Sequence, residues 1–188
     1  MPFPSQSLLF ALNFFLHPSM LGSLVPSSRF VIHDVMAQVD WDRARVVVEY
    51  GPGIGTITRA ALERLHPEAT LVAIEMNGDF VQLLEDEIRD PRVRVVHGSA
   101  LNIRKVLAEF HLPSADYIIS GIPFTNMPAS ARRNIVRESR EALQPEGAMV
   151  VYQFTRTVLP YLESQFSSVR QNFQLWNILP THTFYCTP

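Results

Sequence analysis

The segment that most constrains the fold runs Val46-Val47-Val48-Glu49-Tyr50-Gly51-Pro52-Gly53-Ile54-Gly55-Thr56-Ile57-Thr58. A β-branched apolar run ends in an acid, a turn places glycine at alternate positions, and a helical pattern follows. Glycines in such a turn let the backbone pass close to a ligand and adopt dihedrals that a Cβ forbids. The following helix directs its free N–H groups back toward the turn. A second acid, Glu75, closes the next apolar run, Thr70-Leu71-Val72-Ala73-Ile74, twenty positions beyond Gly55. Both carboxylates are therefore expected at the C-terminal ends of neighbouring strands, where open α/β sheets bind ligands.

Two common phosphate cradles do not fit the turn. A dinucleotide fingerprint needs a third glycine where this chain has Thr56 or Thr58, depending on the frame. A P-loop needs a Gly-Lys-Ser/Thr that does not follow. A carboxylate at Glu49, beside the turn, repels a pyrophosphate but suits a cationic ligand that carries an amino acid. Glu75 is placed to accept two hydrogen bonds from ribose hydroxyls.

At 188 residues, with 47% hydrophobic and 18% charged side chains, the chain has enough apolar material for one sizeable core. The net charge of −2 supplies no positive field for nucleic acid. Arg132, Arg133, Arg137 and Arg140 share one expected helix, but Glu138 and Glu141 interleave with them, as on a solvated face. Cys186 is the only cysteine, which excludes a disulfide framework and fits a reduced, cytoplasmic compartment. The six histidines show no metal-ligand spacing, so no metal is expected.

Near the N-terminus, Leu8-Leu9-Phe10-Ala11-Leu12 and Phe14-Phe15-Leu16 form an apolar stretch about half as long as a bilayer span. It reads either as a helix packed on the domain or as a helix in the membrane interface. Pro26-Ser27-Ser28 reads as the start of a second helix with an apolar stripe through Phe30, Val31, Val35, Met36 and Val39. Residues 1–40 are thus expected as a helical lid or membrane-contact segment, and 41–188 as the main domain.

Strands are expected at 45–50, 70–75, 93–96, 117–120 and 147–154, separated by helices at 55–65, 77–88, 101–110 and 128–143. Pro128 suits the first turn of the last of these. A short helix at 157–165 and strands at 168–177 and 182–186 complete the chain. This alternation predicts an α/β fold with a parallel sheet and right-handed crossovers. The last two strands lack a crossover helix and are expected as an antiparallel edge hairpin.

Glu-x-Gly-x-Gly-x-Gly with an acid at the next strand end resembles the class I S-adenosylmethionine-dependent methyltransferases. The resemblance implies a Rossmann-like seven-stranded sheet with S-adenosylmethionine bound by Glu49, Gly51, Gly53, Gly55 and Glu75. Met76 is then placed to pack on the adenine. Val96-His97-Gly98-Ser99-Ala100 stands where the family commonly carries Gly-Asp-Ala, so Ser99 and Ala100 fall at the adenine edge, with a hydroxyl replacing the carboxylate.

After the fourth strand the chain reads Ser120-Gly121-Ile122-Pro123-Phe124. Methyltransferases of base amines carry Asn-x-Pro-aromatic here, and Gly121 stands at the Asn position, which counts against an adenine acceptor. Gly22-Ser23-Leu24-Val25-Pro26-Ser27-Ser28-Arg29, the glycine turn, Ala-Ile-Glu-x-Asn, Ser-Gly-Ile-Pro-Phe and Asn177-x-x-Pro180 together look like the bacterial phospholipid N-methyltransferases, which are related to ribosomal RNA adenine dimethyltransferases. That resemblance implies methylation of a phosphatidylethanolamine-type amine at the inner face of the membrane. The backbone carbonyls of Ser120 and Ile122 are candidates for orienting the amine, Phe124 for a cation–π face, and Arg29 for the lipid phosphate. The alternatives are a methyltransferase of RNA adenine, a small-molecule methyltransferase, and a non-catalytic binding module.

Overall fold

A computed structural model describes residues 29–174 and 180–188. The apolar stretch of residues 8–16, the capping serines at 27 and 28, and the expected strand residues 175–177 lie outside the described residues. The elements are α1 (Arg29–Met36), β1 (Val46–Tyr50), α2 (Thr56–Leu62), β2 (Thr70–Glu75), α3 (Gly78–Glu87), β3 (Val93–His97), α4 (Ile103–Glu109), β4 (Ala115–Ser120), α5 (Ala129–Ala142), β5 (Leu143–Gln153), α6 (Leu159–Glu163), β6 (Ser168–Gln174) and β7 (Thr181–Thr187).

The seven strands form one sheet in the order β3-β2-β1-β4-β5-β7-β6. β1 pairs in parallel with both β2 and β4, so the chain reverses its direction of travel across the sheet there. Such a switch point opens a crevice at the strand C-termini. β1 is buried at all five positions, as a central parallel strand covered on both faces must be. Val48, Tyr50, Val72 and Met149 pack on one face against α4, α5 and α6. Val47, Leu71, Ile119 and Val150 pack on the other against α2 and the Val31, Val35, Met36 stripe of α1.

The expected edge hairpin is present. β7 runs antiparallel to both β5 and β6 and lies between them. Three helices differ from expectation. The stretch 101–110 opens as a 3₁₀ turn, Ala100–Asn102, because Ser99 caps it and Asn102 leaves helical dihedrals before α4 begins. The helix expected at 157–165 shortens to five residues, with Pro160 in its first turn. Pro128, expected inside the first turn of α5, is its N-cap residue, with extended ψ of 151°.

β5 begins earlier than expected, at Leu143, directly after α5. The early pair Ala115–Leu143 precedes a register irregularity before Tyr117 pairs with Ala148. Gly147 makes that crossing possible: a Cβ there would lie 2.7 Å from the carbonyl oxygen of Asp116.

Candidate functional site: a cleft at the switch point

β1 ends in Glu49-Tyr50 and turns through Gly51, Gly53 and Gly55, all with positive φ (68°, 54° and 81°). At Gly51 a Cβ would also come within 2.9 Å of the Ile122 side chain, so the turn passes β4's exit loop at a distance only glycine permits. Gly55 is the N-cap of α2, in left-handed geometry and with no side-chain cap.

A cleft of about 620 Å³ opens beside this turn, bounded by the ends of β1, β2, β3 and β4. That volume lies in the range of ligand pockets, which is about 300–1,000 Å³. Six residues expected in the site line it: Gly51, Glu75, Met76, Ser99, Ala100 and Ile122. Met76 is 69% exposed there, a thioether left in solvent at the rim. Sequence reasoning missed Asn77, Asp79, Pro123 and Met127 as lining residues. Only Asn77 carried a usable signal. A short polar residue after a strand-end acid is a helix cap, and its side chain accepts from the Asp79 N–H.

Glu75 organises the cleft. One carboxylate oxygen accepts from the Gly53 N–H at 3.1 Å and the other from the Asn77 N–H at 2.9 Å. A carboxylate has about four acceptor positions, so two remain for a ligand. The glycine turn and the start of α3 are thereby joined through one side chain. Ser99 uses its hydroxyl oxygen to accept from the Leu101 N–H at 3.3 Å, which leaves its own hydroxyl hydrogen to donate. The Ile122 carbonyl already accepts from the Phe124 N–H at 2.9 Å, with one lone pair to spare.

The other expected residues lie outside the cleft lining. Glu49 is 1% exposed and accepts from the Thr58 hydroxyl at 2.7 Å. Its Oε1 has no partner among the described residues. Burial, opposed by the Thr58 hydrogen bond and reinforced by the nearby Glu75 charge, raises its pKa to about 7. Gly53 and Gly55 shape the turn rather than line the opening. Ser120 is fully buried between Tyr50 and Val151 in the ladder.

Phe124 is also fully buried, packed in the core with residues of α5 and α6, and presents no ring face to the cleft. Arg29 is exposed and lies over its neighbour Phe30, 4.9 Å from the ring centroid, away from the cleft lining. Among the described residues no group of three His, Cys, Asp or Glu side chains could hold a metal ion. No helix of the described residues is long and apolar enough to cross a membrane.

An adenosine-bearing sulfonium fits this arrangement. The floor lacks Cβ atoms at Gly51, Gly98 and Gly121, one carboxylate keeps acceptor capacity, and apolar surface lines the outer end. Known proteins agree. Residues 47–147 match the family model described as a methyltransferase domain. Ornithine lipid N-methyltransferase from Singulisphaera acidiphila is 28% identical over 180 residues, which cover 95% of this chain and 94% of that protein. Ribosomal RNA small subunit methyltransferase A from Clostridium botulinum is 31% identical over 74 residues, 39% of this chain and 26% of that protein.

Among solved structures, the N-methyltransferase NodS from Bradyrhizobium japonicum superposes with a TM-score of 0.69 at 12% identity, covering 85% of this chain and 96% of that one. Precorrin-6y C5,15-methyltransferase from Geobacter metallireducens gives 0.65 at 16% identity, covering 84% and 86%. The chain belongs to the methyltransferase-domain family and is a class I S-adenosylmethionine-dependent methyltransferase.

Proposed function

We propose that this chain methylates the amine of a membrane-lipid headgroup, of the ornithine-lipid or phosphatidylethanolamine type, while peripherally bound at the inner face of the membrane. The observation that carries the reading is coextension: the likeness to a lipid N-methyltransferase runs over 95% of this chain and 94% of that protein. The likeness to the ribosomal RNA enzyme covers only 26% of its length. Gly121, where base-amine enzymes carry a carboxamide, and the net charge of −2 favour the same choice.

S-adenosylmethionine supplies an activated methyl carbon when bound. Glu75 would hold the ribose hydroxyls with the acceptor positions its two backbone donors leave open. Met76 and Ala100 would flank the adenine, and the Ser99 hydroxyl would donate at its edge. The Gly51–Gly55 turn would hold the amino-acid end on the side of Glu49, whose unpartnered Oε1 would suit an ammonium. The acceptor amine, neutral and held about 3 Å from the methyl carbon, needs positioning more than a base. The Ile122 carbonyl, which lines the cleft and keeps one lone pair, contributes to that positioning.

The test is transfer of radiolabelled methyl groups to vesicles containing ornithine lipid or phosphatidylethanolamine, set beside ribosomal RNA. Label is expected in the lipid fraction alone. Label in RNA and none in lipid would overturn the reading.

A further inference from the structure

Gly121 does not owe its lack of a side chain to backbone conformation. Among the described residues the glycines with positive φ are Gly51, Gly53 and Gly55, and Gly121 is not one of them, so any L-residue has access to its dihedrals. What excludes a side chain is Tyr152. A Cβ at 121 would fall 2.2 Å from the Tyr152 hydroxyl oxygen and 2.6 Å from Cζ.

The register explains the meeting. Ser120 is the last residue of β4 to pair with β5, opposite Val151, so one step further brings Gly121 opposite Tyr152. Tyr152 is half-buried, pairs with Thr183 of β7, and packs with the cluster that includes Val35 of α1 and Val150. Its ring packs against that cluster, and its hydroxyl rests on the bare α-carbon of a cleft-lining residue.

We propose that Tyr152 is the acceptor-positioning residue of this enzyme, its hydroxyl, brought against the bare α-carbon of Gly121 at the cleft, accepting a hydrogen bond from the lipid amine. The proposal rests on the lipid-amine reading above and supplies the polar group that Gly121 lacks. A neutral amine donates one N–H to the phenol oxygen and aims its lone pair at the methyl carbon. The N–C bond then forms as the C–S bond breaks. Sulfur keeps the electron pair as a neutral thioether, and the new ammonium passes its proton to solvent. Tyr152 needs to gain or lose no proton in this scheme.

The scheme carries a signature that a merely structural tyrosine lacks. Primary and secondary amines have an N–H to donate, and a tertiary amine has none. Tyr152→Phe is therefore expected to lower kcat about tenfold or more on phosphatidylethanolamine vesicles, the worth of one well-placed hydrogen bond. On vesicles of the N,N-dimethylated lipid its rate should match the parent's, and S-adenosylmethionine binding by calorimetry should be unchanged. Equal losses on both lipids, or no loss on the unmethylated one, would overturn the proposal.

A second measurement uses the steric conflict. Gly121→Ala must push the ring away and should lower the rate on phosphatidylethanolamine as Tyr152→Phe does. In a Tyr152→Ala background the same change should cost nothing further, whereas additive losses would count against it. If the parent protein itself methylates no lipid amine, it is the underlying reading that fails. If the parent is active and the variants behave alike on both lipids, Tyr152 alone is excluded.

Discussion

Glu49 and Glu75 end adjacent strands, and their surroundings give the two carboxylates different roles. Glu75 reaches the cleft with two backbone donors already attached, whereas Glu49 is sealed in with a single hydroxyl. Replacing Glu75 by Gln would set an amide NH₂ against the Gly53 or Asn77 N–H and remove the charge. S-adenosylmethionine affinity, measured calorimetrically, should fall about tenfold to a hundredfold. Glu49 bears on pH. Its folded pKa of about 7 lies above the ordinary 4.5, so between those values the folded chain holds a proton that the unfolded chain releases. Stability from this group therefore falls as pH rises through that window and is level above it. Glu49→Gln should raise the melting temperature more at pH 8 than at pH 4.5, while weakening binding of the cofactor's ammonium. A gain of equal size at both pH values would show that the carboxylate is not the cause. The acids and glycines were legible in the sequence because their spacing is local. The burial of Phe124 and the meeting of Tyr152 with Gly121 were not, since both depend on packing between distant segments.

At the scale of elements, the strands were easier to read than the helices. Buried parallel strands show as unbroken apolar runs, and β1 and β2 fall where those runs lie. Helix ends depend on caps, and two caps here are irregular: a left-handed glycine before α2 and a proline before α5. The early start of β5 was hidden because Gln144-Pro145-Glu146 has no strand-like pattern, and only the approach of Gly147 to the Asp116 carbonyl gives it a place. Gly147→Ala should force backbone apart at that crossing and cost about 1–3 kcal/mol in denaturant unfolding, with little change in cofactor affinity. Asn77→Ala removes the cap of α3 and should cost about 1 kcal/mol. It should also loosen Glu75's neighbourhood enough to weaken S-adenosylmethionine binding.

For the whole molecule, the alternation of strand and helix was enough to predict a parallel sheet with an antiparallel hairpin. The placing of β7 inside β6 was not, because two antiparallel strands read alike in either order. The N-terminal apolar stretch belongs to this scale as well. Removing residues 1–16 should abolish co-sedimentation with lipid vesicles and leave the far-ultraviolet circular dichroism of the sheet intact. Undiminished sedimentation would assign membrane contact to another surface.

The insertion of β7 between β5 and β6 also has a bearing on biosynthesis. The ribosome makes β6 before β7, yet β6 joins the sheet only through β7. Until residues 181–187 emerge, β5 presents an open hydrogen-bonding border with Met149, Val150 and Val151 along it. A nascent polypeptide stalled just short of this segment would carry the first six strands and still be adhesive, the species most in need of a chaperone.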